Sequence, residues 1–306
     1  MLDILFLGTG AAVPSRDRTT SALAVRSGRD IVLLDCGEGT QRQLMVSPFS
    51  FMKIRAILIT HMHGDHVLGL PGLLQTMGLS GRKDPLTVYG PSCLERYIRS
   101  AMDATEGDTG YELSFETVED GGRYAIGDLT AIAFSTDHGT ESFGYVIREA
   151  DLPGKLDRAK ALSLGLEEGP DLARIKNGET VRGVEPSQVM GEPRKGLSMA
   201  YTGDTKPCPA IPLAAKGVDV LVHEATYMSS EAGLADEHAH STVGQAADDA
   251  RAAGARYLIL THISNRYRER EGLEAEARAL FPDSFVAEDM RMFSVTRGSI
   301  SFTDSD

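Results

Sequence analysis

The 306-residue chain has no tryptophan and only three cysteines, and its 31 lysines and arginines are outnumbered by 44 acidic residues. Each shortage excludes something. Cys36, Cys93 and Cys208 are far apart and form no Cys-x-x-Cys pair, which argues against a disulfide scaffold and a thiolate zinc site. All three read as small, semi-buried side chains. No stretch approaches the ~20 consecutive apolar residues of a membrane-spanning helix, so no membrane association is expected. The opening Met-Leu-Asp-Ile-Leu-Phe-Leu-Gly is strand-like and lacks a basic region or cleavage site, which points to a cytoplasmic protein. A net charge of −13 argues against a broad basic surface for long nucleic acids, although an acidic body can still carry a local basic patch.

What is present is an ordinary globular composition, 42% hydrophobic and 25% charged. A chain of this length can bury a large core as one α/β domain or as two smaller ones. Its most informative stretch is Ile-Leu-Ile-Thr-His-Met-His-Gly-Asp-His at residues 57–66. The aliphatics signal a short buried strand. Three of the eight histidines and an aspartate follow within six positions. In an extended segment His61 and His63 point the same way, while Gly64 lets the chain turn so that Asp65 and His66 reach a second position. Imidazole and carboxylate at the end of a rigid element are metal-ligand chemistry.

The apolar patterning predicts strands at 2–8, 54–60, 86–89, 112–118, 123–126 and 129–136, and a hairpin from 21–26 and 31–35 around Gly28. Helices are expected after Thr40 and over 69–79. A second half follows with strands at 197–202, 218–222, 256–261 and 292–295 and helices at 242–253 and 273–280. The tail from Gly298 carries little pattern. Gly8-Thr9-Gly10 ends the first strand, but neither a P-loop lysine nor a dinucleotide fingerprint follows it.

Residues 151–196 break the pattern, with four prolines and eight acidic residues cancelled by eight basic ones. This segment is relatively basic within an acidic protein, and reads as an excursion from the main fold. Elsewhere, polar candidates recur at strand ends: His61, His138, Asp204, His223 and His262. Active sites of open α/β sheets sit at such ends. Imidazoles and carboxylates without thiolate suit two hard-to-borderline divalent ions, an arrangement that performs hydrolysis. Asp204 is a suitable bridge between the ions. Asp65 is placed to ligate one ion and to accept the nucleophile's proton, and Glu224 near His240 could orient a proton donor.

His-Met-His-Gly-Asp-His at 61–66 resembles the HxHxDH motif of the metallo-β-lactamase superfamily. LGTGAAVPS near the start, LDCGEGTQRQL at 34–44, DHGTESFGY at 137–145, TGDT at 202–205, HEAT at 223–226, HST at 240–242 and LTHISNRY at 260–267 narrow the resemblance to the short tRNase Z family. It spans nearly the whole chain.

The resemblance implies an αββα sandwich over 1–306, with 151–196 inserted as a flexible tRNA-binding arm. It implies two Zn²⁺ per subunit, with Mn²⁺ or Fe²⁺ as possible substitutes. His61, His63, His138 and Asp204 would hold the first ion, and Asp65, His66, His262 and the shared Asp204 the second. Asp65 would be the general base, with Glu224 and His240 the proton-donating pair. The implied partners are precursor tRNA and a second subunit of a homodimer. The implied reaction cuts the 3′ trailer after the discriminator base, leaving a 3′-hydroxyl on the tRNA and a 5′-phosphate on the trailer. RNA contacts are expected at Gly169, Pro170 and Lys176 of the arm, at Lys195, at Arg16 and Arg18 of the first loop, and at Arg266. One departure is Leu197, which follows Arg194-Lys195-Gly196 where the family commonly carries a basic residue. The alternative is a phosphodiesterase of the same superfamily acting on small or other RNA substrates; an enzyme for small phosphodiesters or arylsulfates would have no use for the excursion.

Overall fold

A computed structural model of the chain describes residues 1–304. The described residues form strands β1 (Leu2–Gly8), β2 (Ala22–Ser27), β3 (Asp30–Leu34), β4 (Ile54–Leu58), β5 (Leu86–Gly90), β6 (Leu113–Thr117), β7 (Arg123–Ile126), β8 (Leu129–Ser135), β9 (Phe143–Glu149), β10 (Ser198–Tyr201), β11 (Val220–Glu224), β12 (Tyr257–Thr261), β13 (Ser284–Val286), β14 (Met292–Val295) and β15 (Ile300–Thr303). Two sheets result, ordered β15-β14-β1-β2-β3-β4-β5-β6 and β13-β12-β11-β10-β9-β8-β7.

The sequence dictates the layering. In β1, Leu2, Ile4 and Phe6 alternate with Leu5 and Leu7, and both sets are fully buried. A strand apolar on both faces must be covered on both. Ile4, Phe6, Val32 and Leu58 meet Tyr145, Met199, Val222 and Ile259 in the core between the sheets. Leu5, Leu7 and Ile57 pack outward against Leu44, Leu73, Leu74 and Ile98 of the helices Thr40–Val46, Leu70–Leu79 and Leu94–Ala104. On the far side Leu221, Leu258 and Leu260 lie under Ala246, Ala247, Ala250 and Ala277 of the helices Val243–Ala253 and Glu271–Leu280. The result is a four-layer αββα sandwich, the architecture the motifs implied.

Several elements differ from the sequence expectation. Strands β7 and β8, which follow the first-half strands in sequence, belong to the second sheet, and β14 and β15 return to the first. β9, β13, β15 and the helix Leu94–Ala104 were not anticipated. β9 was hidden inside the DHGTESFGY motif, and β15 lies in the tail that carried little pattern. Leu197 is buried in the inter-sheet core, which accounts for an apolar residue there.

The chain divides into two compact units, one made of Met1–Arg148 and the chain from Leu197, the other of Glu149–Gly196. The second is more ordered than its composition suggested. It contains the helices Arg158–Ser163, Pro170–Lys176 and Pro186–Val189, closed over Ala161, Leu166, Ile175, Val181, Val184 and Val189. Arg182 pairs with Glu167 and Asp171 at 2.8 Å each, and Arg174 with Glu179 at 2.7 Å. A cleft of about 850 Å³ in this unit is lined by Lys155, Arg158, Gly169, Lys176 and Arg194 among others.

Candidate metal centre

The site is assembled at the ends of strands. Past β4 the chain runs through Ile59 and Thr60 to His61, and His63 then precedes a one-turn helix, Gly64–Val67. That helix sets Asp65 and His66 beside His61 instead of continuing the extended alternation. Asp204 arrives from the turn after β10. Gly203 there has φ +60°, and a Cβ on it would lie 2.8 Å from Thr60 Cβ, so only glycine permits this close approach. His138 follows β8, and Glu224 and His262 come at or just past the ends of β11 and β12.

Asp204 Oδ2 is the hub. It lies 3.2 Å from His262 Nε2, 3.3 Å from His66 Nε2, 3.7 Å from His138 Nε2 and 3.9 Å from His61 Nε2. His63 Nδ1 is 3.1 Å from His138 Nε2. Asp65 Oδ2 lies 3.3 Å from His262 Nε2 and accepts a hydrogen bond from Ala12 N–H at 2.9 Å. His61, His63 and His138 converge as one set of candidate ligand atoms, and Asp65, His66, Asp204 and His262 as another. All seven ligand candidates from the sequence are therefore brought together.

The donor set fits divalent cations. His61 Nε2, His66 Nε2 and Asp204 Oδ1 are buried without a hydrogen-bond partner. A buried polar atom with no partner is costly, and a cation supplies one. Burial, reinforced by the charge of His66, holds the His61 pKa well below its usual value, and burial likewise lowers that of His138. Neutral imidazoles are what a metal requires. At His66 burial opposes the charged form, but the carboxylates of Asp204 and Asp35 outweigh it and raise its pKa. The site therefore favours positive charge at its centre.

Four of the five imidazoles, those of His61, His66, His138 and His262, are oriented from behind, as metal-binding histidines generally are. His66 Nδ1 is 2.8 Å from Asp35 Oδ2, and Asp35 in turn accepts from Thr60 N–H at 2.8 Å and Tyr201 O–H at 2.9 Å. His61 Nδ1 is 3.0 Å from Thr60 Oγ1, His138 Nδ1 is 2.7 Å from the Ala239 carbonyl, and His262 Nδ1 is 2.9 Å from Thr226 Oγ1. Asp35, Ala239 and His262 all have positive φ, at 56°, 59° and 55°. Such conformations cost non-glycine residues energy and concentrate at functional sites. None of these supporting groups was assigned a role from sequence, although Asp35, at the exit of β3, shares the strand-end placement of the ligands.

Glu224 and His240 form the second working pair, with Oε1 to Nδ1 at 2.9 Å. Glu224 also accepts from Thr205 N–H at 2.9 Å, Thr226 N–H at 3.1 Å and Thr226 O–H at 2.7 Å. Burial alone would depress the His240 pKa, but the Glu224 charge and hydrogen bond raise it to about 9. At neutral pH His240 therefore carries a proton it can give away. At Asp65 burial is outweighed by the His262 hydrogen bond and the His66 and His262 charges, so the carboxylate stays ionised.

Other candidates fall elsewhere. His223 does not join the site: its Nδ1 is 2.7 Å from the Glu224 carbonyl oxygen and its Nε2 3.3 Å from Asp249. Arg18, expected to face RNA, is buried, with Nη1 donating to Thr9 Oγ1 at 2.9 Å and to the Ala287 carbonyl at 3.2 Å. Arg16 is exposed and lines a cleft of about 580 Å³ with Asn265, Tyr267 and Arg268. Arg266 is exposed but engaged, pairing with Glu231 at 2.6 Å and lying 4.9 Å from the Tyr227 ring centre. Gly169, Pro170, Lys176 and Lys195 are exposed residues of the 149–196 unit.

Residues 2–152 match the family model of the anti-Pycsar protein Apyc1, and residues 180–263 that of the β-lactamase superfamily domain. The ribonuclease Z of Bacillus licheniformis is 40% identical over 306 residues, covering 97% of this chain and 100% of that protein. The ribonuclease Z of Natronomonas pharaonis is 44% identical over 296 residues, or 94% of this chain and 96% of that one. The crystal structure of human tRNase Z, short form, aligns with a TM-score of 0.71 at 27% identity, covering 96% of this chain and 99% of that one.

Proposed function

The chain belongs to the ribonuclease Z family, endoribonucleases of the metallo-β-lactamase superfamily, and we propose that it is the zinc-dependent enzyme that removes the 3′ trailer of precursor tRNA. The observation that carries this reading is the convergence of two ligand sets on Asp204, with the Glu224–His240 pair alongside: His240 Nδ1 is 4.0 Å from Asp204 Oδ2.

His61, His63, His138 and Asp204 would hold one Zn²⁺, and Asp65, His66, His262 and Asp204 the other. Two divalent ions so held supply Lewis-acid polarisation of the phosphodiester and make water a better nucleophile at neutral pH. The chain's own groups do the rest. Asp65, its Oδ2 fixed by the Ala12 N–H, accepts the proton of the attacking water. As the bond from phosphorus to the tRNA 3′-oxygen breaks, the His240 imidazolium gives that oxygen its proton, producing the 3′-hydroxyl. Glu224 keeps the imidazolium charged and aimed. The trailer departs with the 5′-phosphate.

Residues 151–196 would grip the tRNA, with Gly169, Pro170, Lys176 and Lys195 among the contacts, and Arg16 and Arg266 would add contacts from the larger unit. A local grip of this kind reconciles RNA binding with a net charge of −13. Arg18 is better assigned to holding its loop than to touching RNA. The protein would work in the cytoplasm as a homodimer.

The test is cleavage of a 3′-extended precursor tRNA by the purified protein, with chelator and with zinc added back. A single zinc-dependent cut beside the discriminator is expected. An intact precursor alongside rapid hydrolysis of a small phosphodiester would replace this reading with that of a small-substrate phosphodiesterase.

A further inference from the structure

Asp289 lies outside the ligand set, on the segment that carries the chain from β13 in the second sheet back to β14 in the first. The crossing is tightly held. Met290 has φ +66°, a strained conformation for a non-glycine residue. Its N–H donates to the Phe6 carbonyl at 2.6 Å, and Phe6 N–H donates to the Arg291 carbonyl at 3.0 Å.

The Asp289 carboxylate then fastens both ends of the loop that follows β1. Oδ1 accepts from Thr9 N–H at 2.9 Å and Thr9 O–H at 2.7 Å. Oδ2 accepts from Thr19 N–H at 2.6 Å and lies 2.7 Å from Thr19 Oγ1. Arg18 spans the same junction, donating to Thr9 Oγ1 and to the Ala287 carbonyl.

This loop touches the metal centre twice. Ile263, next to His262, donates its N–H to the Thr9 carbonyl at 2.8 Å and accepts from Ala11 N–H at 3.1 Å. One residue on, Ala12 N–H supplies the 2.9 Å hydrogen bond to Asp65 Oδ2. Asp65 and His262 come from different sheets, and residues 9–12 bridge them. An amide at 289 would turn its NH₂ toward the N–H of either Thr9 or Thr19 and release that end of the loop.

We propose that Asp289 is a positioning residue for Asp65 and His262, acting through residues 9–12. Its loss loosens the hold of these two side chains on the ion they share and leaves the ion held by His61, His63 and His138 bound as before. The inference rests on reading the site as a metal centre.

The test titrates chelator-stripped wild type and D289N with Zn²⁺ by calorimetry, then assays both on precursor tRNA. D289N is expected to bind one ion as wild type does and the other about tenfold more weakly, with kcat about tenfold lower and KM changed by less than about twofold. T19V keeps the carboxylate, removes a hydroxyl beside it, and should show the same split to a smaller degree. It also serves if D289N does not fold. Two ions of wild-type affinity in the folded variants overturn the proposal, as does a loss confined to thermal stability. The zinc titration decides this proposal whatever the protein cleaves. Failure of wild type to cut precursor tRNA would instead defeat the functional reading above.

Discussion

The metal centre and the 149–196 unit are built on opposite principles. At the metal centre, charged and polar side chains are buried and the groups behind the ligand atoms have defined partners, with Asp35, Thr226 and Glu224 accounting for several contacts each. In the 149–196 unit the charges stand in solvent. Arg174 and Glu179 pair with about half of each side chain exposed, over a small aliphatic core. Buried networks fix geometry because any displacement leaves a desolvated group unpaired. Exposed ion pairs contribute little stability but leave charge available to a partner. Under the proposed function, chemistry would belong to the first region and the grip on a large substrate to the second.

Removing the arm is the strongest way to break that comparison. Arg148 and Ser198 are cross-strand partners in β9 and β10, so a short turn can replace 151–196 without moving either strand. The shortened protein should lose cleavage of folded precursor tRNA and keep hydrolysis of a small chromogenic phosphodiester. Equal loss of both, in a protein with normal circular dichroism, would mean that the two regions are not separable.

A smaller effect is expected behind the ligands. Asp35→Asn leaves every metal-binding side chain in place but weakens the acceptor that orients His66, and should lower zinc affinity or turnover by roughly 10- to 100-fold. Unchanged zinc affinity and turnover would show that the buried network is packing and nothing more.

Glu224→Gln sharpens the account of proton transfer. The Glu224 charge raises the His240 pKa, so the proton is held at pH below about 9 and lost above it. Activity needing that proton therefore falls as pH rises through this value. Without the charge, the alkaline limb of the kcat profile should move to lower pH. A profile that keeps its alkaline limb would assign the proton donor elsewhere.

The smallest effect belongs to the arm's surface. Arg158→Ala breaks an exposed pair with Glu168 and should change thermal stability by less than about 1 kcal/mol. If Arg158 faces RNA, binding of precursor should weaken and become less sensitive to salt, as monitored by filter binding across a salt series.

Much of the sandwich and all seven converging side chains were legible in the sequence through strand-end placement together with the motif resemblance, since placement alone also singled out His223, which does not join the site. Ligand residues of distinctive chemistry sit at the ends of strands whose apolar runs announce themselves, as Ile57–Ile59 announce His61 and Leu258–Leu260 announce His262. What was not legible acts through the backbone or through distant partners. The Ala12 N–H and the Ala239 carbonyl have no side-chain signature at all. Arg18 reads as an exposed loop cation until Thr9, across its own loop, and Ala287, far away in sequence, are seen to hold it. β7 and β8 carry ordinary strand patterning that says nothing about which sheet they join, and β15 becomes a strand because β14 offers it an edge.

The central claim, that Asp204 serves two ions at once, is tested most directly by counting metal. Elemental analysis of wild type and Asp204→Ala, each equilibrated with zinc and freed of excess, should give two ions per chain for the first. The variant should lose zinc and, with its fold intact, almost all activity. One ion per wild-type chain, or a variant that keeps two ions and full activity, would contradict the shared-ligand site.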